Sequence, residues 1–333
     1  MSKPFQSFME KLIDYAGLFP PAQLPMEKAI QQYAEYRKSP DAGMLSRFIC
    51  PAARLRELQP YQDSLFQEGE PFRFSVLGRS GKTKEEFLAG LEKDLEAIRE
   101  FLEYHRGRAA AEVLEVRLPG DALHSPGASA ISQLLNGFAA ALEKNGPPEI
   151  AAYFEADFIS FGREWKKVLH AAVKGIAEHN RYLQRGNKFT RYKSAGFKLR
   201  CGGVEPQMYP SPEQAAAAIS ACIDQRVPLK ATAGLHHPVR HFNRAAKVKM
   251  HGFLNVFGAA VLAEAHNLSA EQIQEIIEDE DASNFIFTRR AFAWKNLRAS
   301  LDEITRARQN YAISFGSCSF DEPREDLRGL KLL

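Results

Sequence analysis

The chain has 333 residues, of which 45% are hydrophobic and 26% charged, the make-up of a folded globular protein and not of a disordered or membrane-embedded one. Its 44 basic and 41 acidic residues leave a net charge of +3 and are mixed along the chain, so no basic block marks it for nucleic acid. Lys3, Glu10, Lys11 and Asp14 interrupt residues 1–19 and leave no apolar signal core there. The longest apolar stretch, 252–263, is shorter than the roughly 20 residues a bilayer span requires. Cys50, Cys201, Cys222 and Cys318 are scattered, with no CxxC pair, which fits reduced thiols. The expectation is a cytoplasmic protein with no membrane and no nucleic-acid partner.

Strand-like runs, Gly/Pro turns and helix-like runs follow one another, as βα units of a parallel sheet do. The first unit reads as a strand over 12–19 and a helix over 26–37, with Pro20 and Pro21 between them. The second pairs 46–50 with a helix over 55–66, and the third pairs 72–77 with a helix over 84–105, where Thr83 and Glu86 have capping-box spacing. The fourth has a strand over 112–118 and a helix over 129–144; the fifth, a strand over 150–158 and a helix over 163–181. Strands over 196–203 and 228–237 supply the sixth and seventh units, and a helix over 212–224 with Ser211 as N-cap joins them. Residues 252–257 are read as the eighth strand, or else 252–263 as one continuous buried helix.

Eight such units close a (β/α)8 TIM barrel. An open doubly wound sheet is the runner-up, without a dinucleotide fingerprint to favour it. One α/β-barrel domain over 1–333 is expected, with 267–333 as a C-terminal extension packed on the barrel. Its helices are placed over 270–280 and 301–311, and its tail over 314–323 caps the mouth or meets a neighbouring subunit.

Strand parity gives the candidate site. Side chains alternate across a strand, so Glu115 and Arg117 share a face, as do Glu155 and Asp157, Lys198 and Arg200, and Lys230 and Thr232. Charges in a barrel interior must pair, neutralise or face the solvent-filled mouth, where barrel enzymes place their chemistry.

Lys198 and Lys230, on the sixth and seventh strands with Gly202 and Gly234 after them, resemble the lysine strands of class I, Schiff-base aldolases of the deoxyribose-phosphate aldolase type. The segment Leu229-Lys230-Ala231-Thr232-Ala233-Gly234 is similar to that family's seventh-strand lysine segment, whereas Leu199-Arg200-Cys201 departs from the small hydroxyl residues of its sixth strand. The resemblance implies Lys198 as the Schiff-base nucleophile and Lys230 as its electrostatic partner.

The residues themselves allow the same chemistry. A second cation such as Arg200 or Lys230 would lower the Lys198 pKa and free the amine, and Glu155 or Asp157 would move protons. The competing reading of Lys198 is a salt bridge to Glu155 or Asp157.

Gly202, Gly203 and Gly234, with Arg200 and Arg240, are a candidate anion cradle, or else glycines that permit tight turns. His236 serves as a general acid or substrate donor; alternatively His236 and His237 share a divalent metal with the fifth-strand acids. Ser317-Cys318-Ser319, with no histidine near it in sequence, reads as a capping turn, and Gly81-Lys82-Thr83 lacks the earlier glycine of a phosphate loop.

The expected function is a small-molecule enzyme, an aldolase-like carbon–carbon lyase acting through a lysine on an anionic carbonyl or sugar-phosphate-like metabolite. No cofactor is favoured, with a divalent metal as the option. The catalytic set is Lys198, Lys230, Glu155 and Asp157, and Glu115, Arg117, Arg200, Gly202, Gly203, Thr232, Gly234, His236 and Arg240 bind substrate. The alternatives are a metal-dependent hydrolase or isomerase and a non-catalytic binder of a small acid; a homodimer is the expected assembly.

Overall fold

The computed structural model describes residues 1–66, 69–124, 127–147, 149–186 and 192–333. In chain order its strands are β1 (Ile13–Tyr15), β2 (Leu45–Pro51), β3 (Phe72–Leu77), β4 (Ala109–Arg117), β5 (Ile150–Glu155), β6 (Tyr192–Arg200) and β7 (Leu229–Thr232). They continue with β8 (His241–Asn243), β9 (Val248–Met250), β10 (Phe285–Phe287), β11 (Ala291–Trp294), β12 (Leu297–Ser300) and β13 (Ala312–Ser317). Eight strands close a barrel in the order β1-β13-β7-β6-β5-β4-β3-β2, with helices between successive strands, which is the expected (β/α)8 TIM barrel. Strands β8 and β9 form an antiparallel hairpin, and β10, β11 and β12 a separate antiparallel sheet. Among the described residues no helix is long and apolar enough to cross a membrane.

Contacts divide the chain into two compact units, Met1–Gln23 with Glu35–Ser46 and Leu199–Leu333, and Leu24–Ala34 with Arg47–Lys198. In the second of these, β3, β4, β5 and β6 run parallel in register, Leu77 beside Glu115, Arg117 beside Glu155 and Glu155 beside Lys198. The helix Lys84–His105 begins where the sequence places it, because the Thr83 hydroxyl accepts the Glu86 N–H and supplies an otherwise missing acceptor. It covers the strands through an aromatic cluster in which Phe74 lies 4.9 Å from Phe101 and 5.9 Å from Phe48, ring centre to ring centre. The helix expected over 55–66 is instead a run of 3-10 turns, Ala52–Tyr61; Pro60 within it has no N–H to donate and breaks the α-helical ladder. Strand β5 stops at Glu155, and residues Phe158–Glu164 form further 3-10 turns before the helix Trp165–Gly186.

The other unit corrects the eighth strand. Residues 252–257 do not enter the barrel: Phe253–His266 is one helix, apolar on every side and buried from Phe253 through Ala263. The eighth strand is β13, which overlaps the segment 314–323 expected to be a capping tail. It pairs with β1 on one side and β7 on the other, so its backbone groups are satisfied by neighbours on both edges. Phe315 packs outward from it onto Phe253 and Phe257, with ring centres 5.3 and 5.7 Å away. The Ser211 capping box is present, and Pro212–Asp224 is helical as expected.

Candidate functional site

Three parallel strands bring one ammonium and two carboxylates together. Lys198 Nζ lies 2.9 Å from Glu115 Oε2 and 3.1 Å from Glu155 Oε2, and Ser75 Oγ donates to the other Glu115 oxygen at 2.5 Å. All four residues are at most 5% exposed. Each stands in the later part of its strand, toward the end at which a barrel carries its chemistry.

Burial by itself would lower the Lys198 pKa, but Glu115 and then Glu155 outweigh it and hold the ammonium above the ordinary lysine range. This reverses the expected lowering by a neighbouring cation. The competing expectation, a salt bridge to Glu155, is present, and Glu115 joins it. With both carboxylates ionised the trio carries one net negative charge, so a proton leaving Nζ has an acceptor within hydrogen-bond distance. In a buried site this transfer needs no exchange with bulk solvent.

Asp157 does not join this group. It lies beyond the end of β5 and forms an ion pair with Arg117, both side chains more than a third exposed. Five charges that strand parity groups together, Glu115, Arg117, Glu155, Asp157 and Lys198, thus separate into a buried trio and a partly solvated pair.

Lys230, on β7, is fully buried and forms an ion pair with Asp14 of β1, which also accepts a hydrogen bond of 2.7 Å from Ser314 Oγ of β13. The strands β1, β13 and β7 are neighbours, and this is what places the three side chains together. Asp14 and Ser314 were not among the expected site residues; Asp14, an acid inside the apolar run of the first strand, carried a readable signal.

The glycines after β6 and β7 let two backbones meet. A side chain on Gly202 would strike the Gly234 Cα at 2.9 Å, and one on Gly234 would strike the Cys201 carbonyl oxygen at 2.7 Å. Gly234 (φ +69°) follows Ala233 (φ +59°), so two successive left-handed residues end β7 immediately after Thr232. A β-carbon in that conformation costs on the order of 1 kcal/mol, a strain stored beside the barrel mouth. Arg200 donates to the Gly202 carbonyl at 3.3 Å, and Gly203 accepts from the Tyr209 hydroxyl at 3.1 Å. Arg240 donates to His251 Nδ1 at 3.1 Å, and His251 Nε2 donates to the Pro210 carbonyl at 2.8 Å. Close backbone approach accounts for Gly202 and Gly234, and Arg200 and Arg240 each have a hydrogen-bond partner.

The turn after β7 directs His236 and His237 to different partners. His237 Nδ1 lies 2.6 Å from Asp326. His236 Nδ1 lies 3.6 Å from Cys318 Sγ and 3.4 Å from Glu322 Oε2. Burial opposes a charge on His236, but the hydrogen bonds and charges of Cys318 and Glu322 prevail and raise its pKa to about 9. Cys318, expected in a capping turn, follows β13 by one residue and Glu322 lies in the first turn of the helix Asp321–Gly329. No sequence spacing connects residue 236 with 318, so only the meeting of β7 and β13 reveals the group.

No protein-family model matches this chain, and no curated protein matches its sequence. The (β/α)8 barrel is nevertheless a fold that commonly carries small-molecule enzymes, with chemistry at the C-terminal ends of its strands.

Proposed function

We propose that this protein is a barrel enzyme that forms an imine between Lys198 and a small carbonyl metabolite, and that it makes or breaks a carbon–carbon bond next to that imine. The observation that supports this reading is the placement of two carboxylates within 3.1 Å of one buried amine. A lysine held above its ordinary pKa is a poor nucleophile until its proton is taken, and Glu115 or Glu155 can take it in place.

The free amine then adds to the carbonyl carbon. The protonated carboxyl returns its proton to the hydroxyl of the adduct, water leaves, and a cationic imine remains. In the cleavage direction a β-hydroxyl proton passes to a carboxylate and the carbon–carbon bond breaks. Its electron pair moves into the imine to give an enamine, which protonation and hydrolysis release. An anionic, sugar-phosphate-like substrate is the class implied by the resemblance to Schiff-base aldolases. Arg200, two residues after Lys198 at the end of β6, is the cation proposed to receive its charged group.

The test is borohydride trapping with a panel of aldehydes, ketones and 2-oxo acids, phosphorylated and free, followed by peptide mass analysis. The expected result is a reduced adduct on Lys198, absent in Lys198→Arg. A broad panel that leaves Lys198 unmodified removes the proposal.

A further inference from the structure

Outside the lysine group, one cluster of side chains has the composition and dimensions of a metal site. Cys318 Sγ, His236 Nδ1 and Glu322 Oε2 lie within 4.8 Å of one another, on segments that follow β7 and β13. Both the thiol and the carboxylate approach the same ring nitrogen, at 3.6 and 3.4 Å. One Nδ1–H cannot point along both directions, so hydrogen bonding alone explains the convergence poorly.

A cation between the three explains it better. For a tetrahedral zinc with Zn–S of about 2.3 Å and Zn–N and Zn–O of about 2.0–2.2 Å, ligand atoms stand roughly 3.4–3.6 Å apart. The two measured separations, 3.6 Å for sulfur to nitrogen and 3.4 Å for nitrogen to oxygen, fall at that spacing.

We propose that Cys318, His236 and Glu322 bind a zinc-like divalent cation through one sulfur, one nitrogen and one oxygen, leaving the fourth coordination position open. A thiolate with an imidazole selects zinc over magnesium or calcium, which prefer oxygen alone. Three protein ligands and a vacant fourth position are the arrangement of catalytic rather than structural zinc. Cys318 and His236 are largely buried, whereas the Glu322 side chain is about half exposed, which gives the ion a path from solvent. Ligation takes Cys318 as its thiolate and His236 as its neutral ring, the forms in which these side chains hold zinc. A water or a substrate oxygen in the open position would be polarised there.

The alternative expected from sequence, a shared site of His236 and His237 with fifth-strand acids, differs in its ligands, because His237 is engaged by Asp326. The proposal does not depend on imine chemistry, and trapping at Lys198 does not read this site. Either can fail alone.

The experiment uses the full chain, freed of metal with a chelator and titrated first with Co2+ and then with Zn2+. The expected outcome is one equivalent of Co2+ with a thiolate-to-cobalt charge-transfer band and the intense visible bands of four-coordination, both displaced by Zn2+. Cys318→Ser should abolish the charge-transfer band, His236→Ala should weaken Zn2+ binding at least tenfold, and His237→Ala should change neither. A wild-type cobalt spectrum with no thiolate band overturns the proposal without recourse to any variant. So does Zn2+ affinity unchanged in both Cys318→Ser and His236→Ala.

Discussion

Lys198 and Lys230 stand on consecutive strands of one barrel and are both buried, yet their described partners differ. Among the described residues Lys230 pairs with Asp14, which also accepts from Ser314, whereas Lys198 lies between Glu115 and Glu155. The Lys230–Asp14 ion pair, with Ser314 on the same carboxylate, ties β7, β1 and β13 together. At Lys198 one cation lies between two carboxylates, each within hydrogen-bond distance of its ammonium. Burial alone does not distinguish the two lysines; the acids described beside each do.

The sharpest way to break this contrast is to exchange the lysines' roles by substitution. Lys198→Arg keeps the positive charge but cannot form an imine, so turnover on an accepted substrate should fall by at least about a thousandfold while the thermal midpoint moves little. Steady-state kinetics with thermal denaturation checks both halves.

Asp14→Ala should instead damage the fold, costing about 3–5 kcal/mol because it leaves the Lys230 ammonium buried without its carboxylate. Asp14→Asn with Lys230→Met should recover much of that loss in urea unfolding. A fully stable Asp14→Ala protein would show that the pair is not a fastening.

Glu115→Gln sharpens the comparison further. Glu115 is the larger of the two influences that hold the Lys198 pKa up, so its neutral replacement should bring that pKa down. Borohydride trapping should then reach its half-maximal rate at a lower pH than in the wild type. An unmoved pH profile would detach Glu115 from the amine.

Histidine burial gives a weaker effect. His179 Nδ1 pairs with Asn136 Oδ1 at 2.6 Å, and burial lowers its pKa to about 4. The unfolded chain binds this proton more readily, so the contribution to stability is complete above about pH 6.5 and is lost as the pH falls toward 4, up to about 3 kcal/mol in all. His179→Gln should flatten the stability profile between pH 7 and 4.5.

The smallest effect belongs to a helix cap. Thr83→Ala removes the acceptor for the Glu86 N–H and should cost about 1 kcal/mol in urea unfolding, with no change in trapping at Lys198.

These particulars show how far the sequence could be read. Glu115, Glu155 and Lys198 were legible because parity along a strand is fixed by the alternation of side chains and survives any detail of packing. Asp157 was misplaced because β5 ends at Glu155, and parity has no meaning past the end of a strand. The eighth strand was assigned to 252–257 because a short apolar run suits a buried strand and a buried helix alike. The true strand, Ala312-Ile313-Ser314-Phe315-Gly316-Ser317, is rich in small turn formers whose burial comes from neighbours on both sides. The Cys318, His236 and Glu322 group was beyond reach, since it joins residues more than eighty positions apart with no spacing rule between them.

The sequence by itself determined the alternation of strands and helices, the helix starts at Thr83 and Ser211, and the inward faces of β4, β5 and β6. All of these are local, set by side-chain periodicity and by hydrogen bonds within a few residues. The tertiary structure alone decided that the barrel closes through β13, that Lys230 meets Asp14, and that Lys198 is held protonated between two acids. Those outcomes depend on which strands become neighbours and on the dielectric and charge around a buried group, and neither quantity exists until the chain has folded.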